Sequence, residues 1–210
     1  MTDPTGPETP DNGPRPLGDN TFHQEVQHSP ATARVPDSVG SGVFSTGSIV
    51  MHGAHDFVID FVQSLAPPRR IVLRVVLPPT VVPLFIAALQ ENLRKYNQNF
   101  GAIPRMPAPP PGAAPNTPPP ISEVYDQLKL PDDILSGAYA NTVVISHSAA
   151  EFCFDFITSF YPRSAVSGRV YLATPHVPEL LDSLIRALNQ YQQKMQGQAR
   201  PPEPGLPPNG

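Results

Sequence analysis

The chain has 210 residues, of which 30 are proline, 14 glycine and none tryptophan, a density of breakers that excludes one continuous globule. The formal net charge of -4 is accounted for by the first 40 residues, with six acidic and two basic side chains, so the rest is near neutral. That disfavours a nucleic-acid surface, which needs a dense basic face where this chain has adjacent basic residues only in isolated pairs such as Arg69 and Arg70. One cysteine, Cys153, excludes an intramolecular disulfide and a multi-thiolate metal site, and it fits a reducing compartment. No signal peptide is read at the amino terminus. No apolar run approaches the roughly 18 residues of a membrane helix, so the expected location is the cytoplasm with no membrane partner.

Prolines crowd into residues 1–36, 104–120 and 201–208 and leave two proline-poor blocks. The expected organisation is a disordered tail over 1–40, a first repeat over 41–101 and a proline-rich linker over 102–120. A second repeat with a short N-terminal extension follows over 121–197, then a disordered tail over 198–210. Shifting the sequence by 95 residues superposes the blocks without a gap, giving about fifteen identities over roughly 55 positions. Gly42 meets Gly137, His52 meets His147, Phe57 meets Phe152, and Asp60-Phe61 meets Asp155-Phe156. Arg74-Val75 falls on Arg169-Val170, Val82-Pro83 on Val177-Pro178, and Tyr96 on Tyr191. This is the mark of a duplication.

In chain order, each block predicts three strands and then a helix, because the apolar period changes from two to about 3.6. The strands are expected at 44–51, 57–63 and 71–77, and at 139–146, 152–158 and 166–172. Phe57, Ile59 and Phe61, like Phe152, Phe154 and Phe156, share a strand face that should meet a helix. Val58, Val62, Cys153 and Ile157 face the other way, and that second face is expected to meet the other copy or another chain. The helix stripes are Phe85, Leu89, Leu93, Tyr96 and Phe100, and Leu180, Leu184, Leu188, Tyr191 and Met195. Pro83 and Pro178 suit a first helical turn, and Gly101 and Gly197 suit helix ends. Arg105, Pro107 and Pro110 loosely match a ligand of proline-recognition domains, but a plain linker is the better reading. Residues 121–135 carry Ile121, Val124, Tyr125 and Leu128 at helical spacing, which predicts a short helix against copy two, ended by Pro131. The fold class is therefore α+β, with tandem strand-strand-strand-helix modules forming a pseudo-twofold unit. Each copy is expected to hold an antiparallel sheet and one main helix, and blocks of about 60 residues should share a core.

The stretch YANTVVISHSAAEFCFDF, residues 139–156, with GRVYLATPHVPELLDSLIRALNQYQ, residues 168–192, resembles the bacterial and archaeal family called domain of unknown function 3467. The first copy departs further, with MHG for SHS, Asp56 for Glu151 and Pro79-Thr80 for Thr174-Pro175. The resemblance implies a small soluble α+β protein, typically with one copy per chain, and assigns no activity or catalytic residue.

Asp60 and Asp155 lie mid-strand among apolar residues, and Arg74 and Arg169 lie at the matching place in the next strand. A carboxylate flanked by apolar side chains is costly unless paired, so two structural ion pairs are expected. His52 and His147 are read as turn histidines at a strand end. His52, His55 and Asp56 have the donor types of a zinc site, with His147 and Glu151 as counterparts, but Ala150 replaces His55 and leaves too few ligands. Ser146, His147 and Ser148 alternate in direction and do not make a nucleophile with its base. Hence no metal, no cofactor and no catalytic residue are assigned. The expected function is a non-enzymatic protein-interaction or assembly module with an unidentified protein partner. The alternative is a nucleic-acid or transcription-associated accessory protein, ahead of an enzyme or a metal-binding protein.

Overall fold

The computed structural model describes residues 15–16, 22–23, 33–104, 120–160 and 162–198. Most of the expected tail over 1–40, nearly all of the linker over 102–120 with Arg105, Pro107 and Pro110, and all of the tail over 198–210 except Gln198 lie outside the described residues. The first block runs α1 (Asp37–Gly40), β1 (Val43–Ser45), β2 (Gly47–His52), β3 (Phe57–Gln63), β4 (Arg70–Leu77) and α2 (Val82–Phe100). Next come α3 (Ile121–Asp126), β5 (Ala138–Tyr139), β6 (Thr142–His147), β7 (Glu151–Thr158), β8 (Ala165–Ala173) and α4 (Val177–Gln198). A separate two-residue antiparallel pair joins Arg15–Pro16 to Phe22–His23.

The architecture is α+β with two four-stranded mixed sheets. Sheet A has the order β1-β8-β7-β6, and sheet B the order β2-β3-β4-β5. Both were expected to be antiparallel, yet β1 pairs parallel with β8 and β5 parallel with β4. The cause is a break in the first strand of each block, which had been read as continuous. At the first break the Ser45 hydroxyl lies 2.7 Å from the Gly47 carbonyl and 2.9 Å from that of Val62. Thr46 Oγ1 accepts from Ser64 N at 3.0 Å, and Asn141 Oδ1 accepts from Ser159 N at 2.8 Å. Short polar side chains that bond to nearby backbone compete with ladder pairing, and here they turn the chain from one sheet into the other. Each block therefore lends its first two or three strand residues to the other block's sheet.

Phe57, Ile59 and Phe61 of β3 and Phe152, Phe154 and Phe156 of β7 are all buried in one shared core. Fully burying such side chains contributes about 1.5–3 kcal/mol each. The two sheets meet through these inner faces, with the Phe61 ring 5.7 Å from Phe156 and 6.4 Å from Phe154. The opposite strand face, that of Cys153, was expected to meet the other copy or another chain, but the contact between the blocks is made by the phenylalanine face. A layer of five phenylalanines and one isoleucine is the larger apolar surface and gains more by being covered from both sides. Gly168 of β8 packs on Leu73 of β4, where a methyl group would come within 3.0 Å of Leu73 Cδ1.

The helices cross over as well. Phe85 of α2 meets Phe154 and Phe156 edge-on, at 5.8 and 5.9 Å. Tyr191 of α4 lies 5.3 Å from Phe57. Pro83 sits in the first turn of α2, and Gly101 ends that helix at φ 84°. Gly197 does not end α4, which runs through Gln198.

The segment after the linker differs from its expected place. Val124, Tyr125, Leu128, Leu130 and Ile134 pack with Val62, Ile71 and Ile49 on the outer face of sheet B, which belongs to copy one and not copy two. Backbone bonds fix it there: Ile71 N donates to Lys129 O and Lys129 N donates to Arg69 O, both at 2.9 Å.

Candidate functional site

The duplicated charged residues come together as two clasps. Asp60 and Arg74 are register partners across β3 and β4, and Asp155 and Arg169 across β7 and β8. Arg74 donates Nε to Asp60 Oδ1 at 2.8 Å and Nη2 to Oδ2 at 2.7 Å. Arg169 donates to Asp155 in the same forked way, at 2.6 and 2.7 Å. Cross-strand placement brings both groups to the outer face, and the planar guanidinium matches both carboxylate oxygens at once.

Each arginine also reaches chain beyond its own sheet. Arg74 Nη1 donates to the Leu135 carbonyl at 3.1 Å, and Arg169 Nη1 donates to the Gly40 carbonyl at 3.2 Å. Two residues on, Gly42 and Gly137 adopt φ of 65° and 76°. A methyl group on Gly42 would lie 2.6 Å from Tyr171 Cε2, and one on Gly137 2.9 Å from Val76 Cγ2. Glycine is needed at both places for its left-handed backbone and for its lack of a side chain. Hydrogen bonding to the carboxylate raises the pKa of both guanidinium groups, so the clasps hold charged arginine at all ordinary pH.

The two clasps differ in their cover. Asp60 is 0% exposed, because the Tyr125 hydroxyl donates to its Oδ2 and the same hydroxyl lies 3.6 Å from Met51 Sδ. Asp155 is 20% exposed and has Cys153 Sγ 4.0 Å from its Oδ1. Burial, and then the Asp60 carboxylate, push the Tyr125 phenol well above its ordinary pKa. Burial, followed by the Asp155 charge, raises the Cys153 thiol. Tyr125 is the member of this site that sequence reading missed as a partner. Its signal was a hydroxyl on an otherwise apolar helical stripe, since a buried tyrosine tip seeks a hydrogen-bond acceptor.

The histidines sit apart from the clasps. His52 Nδ1 lies 3.3 Å from the Gly53 carbonyl, and its ring stands 5.9 Å from Tyr191. His147 stacks on Phe152 at 5.0 Å, with Nδ1 3.3 Å from Asn92 Oδ1 of α2. Both act as caps between a strand end and the helix of the other block. Glu151 accepts from Ser148 Oγ at 3.0 Å within its own turn. Among the described residues, no three His, Cys, Asp or Glu side chains converge as metal ligands. A shallow cleft of about 290 Å³ between β2 and α4 is lined by Ser48, Val50, Ser183, Arg186 and Gln190. Among the described residues, no helix is long and apolar enough to cross a membrane.

No curated protein matches this chain. The family model described as a protein of unknown function, DUF3467, matches twice, at residues 8–105 and 111–197, and each match contains one Asp-Arg clasp. With most of its length covered by two tandem copies of that domain, the chain belongs to the DUF3467 family.

Proposed function

We propose that the protein is a non-enzymatic interaction or assembly module in which two strand-strand-strand-helix copies form a pseudo-twofold unit, equivalent to a homodimer of single-copy relatives. The observation that carries this reading is that the duplicated polar groups are spent on joining the blocks. Asp60 with Arg74 reaches the Leu135 carbonyl, and Asp155 with Arg169 reaches the Gly40 carbonyl. Both relations repeat at the 95-residue offset, as do Tyr96 with His147 and Tyr191 with His52. A carboxylate forked by arginine is a poor proton acceptor, and an arginine so held is a poor donor, which favours scaffold over catalysis. A reducing, cytoplasmic setting suits the lone Cys153 thiol.

Affinity capture of the full chain from its native host, followed by mass spectrometry, tests the reading. A protein recovered in fixed stoichiometry and retained at 0.5 M salt, taken as roughly the ionic strength that screens surface charge, is the expected result. Retention on nucleic acid that falls steeply with salt would reverse it in favour of the nucleic-acid reading.

A further inference from the structure

The chain enters both sheets in the same way. Lys129 bridges in parallel to Arg70 of β4, and Arg34 bridges in parallel to Ala165 of β8. Each member of one pair lies 95 residues from its counterpart in the other, so the entries are equivalent with the blocks exchanged. Arg34 donates its N–H to Ser164 O at 2.9 Å, and its carbonyl accepts from Val166 N at 2.8 Å. Lys129 makes the same two bonds to Arg69 and Ile71, both at 2.9 Å. The paths stay equivalent beyond this point, with Gly42 N donating to Val39 O at 2.9 Å and Gly137 N to Ile134 O at 3.0 Å. The faces they reach are equally buried. On sheet B, Val62 and Ile71 are 5% and 0% exposed beneath Val124, Tyr125 and Leu128. At the same positions of sheet A, the register partners Ile157 and Val166 are 2% and 3% exposed. Among the described residues, neither joins the shared core or the cluster around Leu128. Two aliphatic side chains on an outer strand face do not leave water without a cover.

We propose that residues 22–32 of the chain itself lie across the outer face of sheet A and bury Ile157 and Val166, with Phe22 and Val26 as the apolar anchors. Each block's lead-in then covers the other block's sheet, as the segment carrying Val124, Tyr125 and Leu128 covers sheet B. This goes beyond the interaction reading, since it holds with or without a partner protein. Position argues for this occupant. The described chain resumes at Ala33, next to the Arg34 bridge, so residues 22–32 lead directly onto the face. Fully extended they reach roughly 35 Å, against about 15 Å across four strands. The family match for the first copy begins at residue 8, which makes this lead-in part of the same domain. Composition agrees. Over 22–32, Glu25 is the one acidic or basic side chain apart from histidine, which suits a face where Arg169 already answers Asp155. Phe22 and Val26, four residues apart, are the large apolar side chains of the segment. The cover differs from that of sheet B where the sequences differ. At the 95-residue offset, Ser29 and Pro30 stand for Val124 and Tyr125, so neither a bulky apolar group nor a phenol hydroxyl is supplied there. Asp155 and Val144 are correspondingly left partly exposed, where Asp60 is fully buried.

The test is thiol labelling of the full chain with N-ethylmaleimide, in a Cys153→Ser background so that one introduced thiol reports at a time. Ile157→Cys and, in a separate chain, Val166→Cys place the thiol under the proposed cover, and Val62→Cys places it under the segment that covers sheet B. All three should label slowly. Adding Phe22→Asp together with Val26→Asp should speed labelling at positions 157 and 166 by at least about tenfold, as expected for local opening, and leave position 62 unchanged. Circular dichroism shows whether each chain is folded, and the second probe position guards against one disturbing the face. Labelling that the paired aspartates leave unchanged at both probe positions overturns the proposal. So does fast labelling at both positions while Phe22 and Val26 are in place. An equal rise at position 62 overturns it too, because the effect is then on the whole fold and not on one face. Protection at 157 and 166 that is lost on dilution assigns the cover to a second copy and overturns it. Labelling is read on the purified chain, so this result stands or falls apart from whether a partner is recovered from the host.

Discussion

Arg74 donates to the carbonyl of Leu135, 61 residues further along the chain, while both of its other donors in contact hold Asp60. One side chain thus neutralises a buried carboxylate and fastens the start of the second block to the first block's sheet. The stability of the blocks is coupled through such residues.

The two clasps should be unequal. Asp60→Ala leaves Arg74 without its partner in a site closed by Tyr125, and a loss of about 3–5 kcal/mol is expected. Asp155→Ala acts at a clasp that is partly open to water, where about 1–3 kcal/mol is expected. Urea unfolding of both variants checks the order; an equal or reversed cost would contradict the difference in burial.

Tyr125 should make stability depend on alkaline pH. Its folded pKa is raised above the unfolded value of 10.0, so its contribution is fully present below that value. As pH rises through the folded pKa, the contribution disappears, because a phenolate cannot donate to Asp60 and repels it. Tyr125→Phe should cost about 1.5–3 kcal/mol at neutral pH. The gap between wild type and variant should narrow above about pH 10, as followed by thermal melts across pH. A constant gap would count against the hydrogen bond.

Glycine positions separate backbone need from tolerance. Gly137→Ala meets Val76 Cγ2 and adopts a left-handed conformation, and should lose about 2 kcal/mol or more. Gly47→Ala finds no atom within 4 Å and should stay within about 0.5 kcal/mol of wild type. Paired denaturation curves decide the matter.

Separated blocks should not be self-sufficient. Residues 41–101 alone lack the strand that β1 pairs with and expose the Phe57, Ile59 and Phe61 layer, and residues 121–197 are in the same position. Each should be largely unfolded, and mixing them should restore a 1:1 complex by analytical ultracentrifugation with native-like amide protection. Two stable monomers that ignore each other would contradict the shared core.

Much of this protein was legible before any coordinates, because a duplicated chain carries its own alignment. The 95-residue offset isolates Asp60, Arg74 and Gly42 from their neighbours, and the cost of an unpaired carboxylate on a strand pairs the first two without further information. The period change from two to 3.6 places β3, β4, β7 and β8 close to their observed bounds and finds the apolar stripes of both long helices, since period follows from local backbone geometry. Pairing across sheets is another matter. Whether β1 and β5 continue along the sheet of their own block or leave it is decided by where the hydroxyl of Ser45 and the amide of Asn141, respectively, find partners, and those partners are residues 17 to 18 positions away. Whether α3 lies on copy one or copy two depends on which outer face offers Val62, Ile71 and an open Asp60 oxygen. Local propensity is silent there, because an apolar stripe specifies that a face be buried and leaves its partner to the packing of the whole.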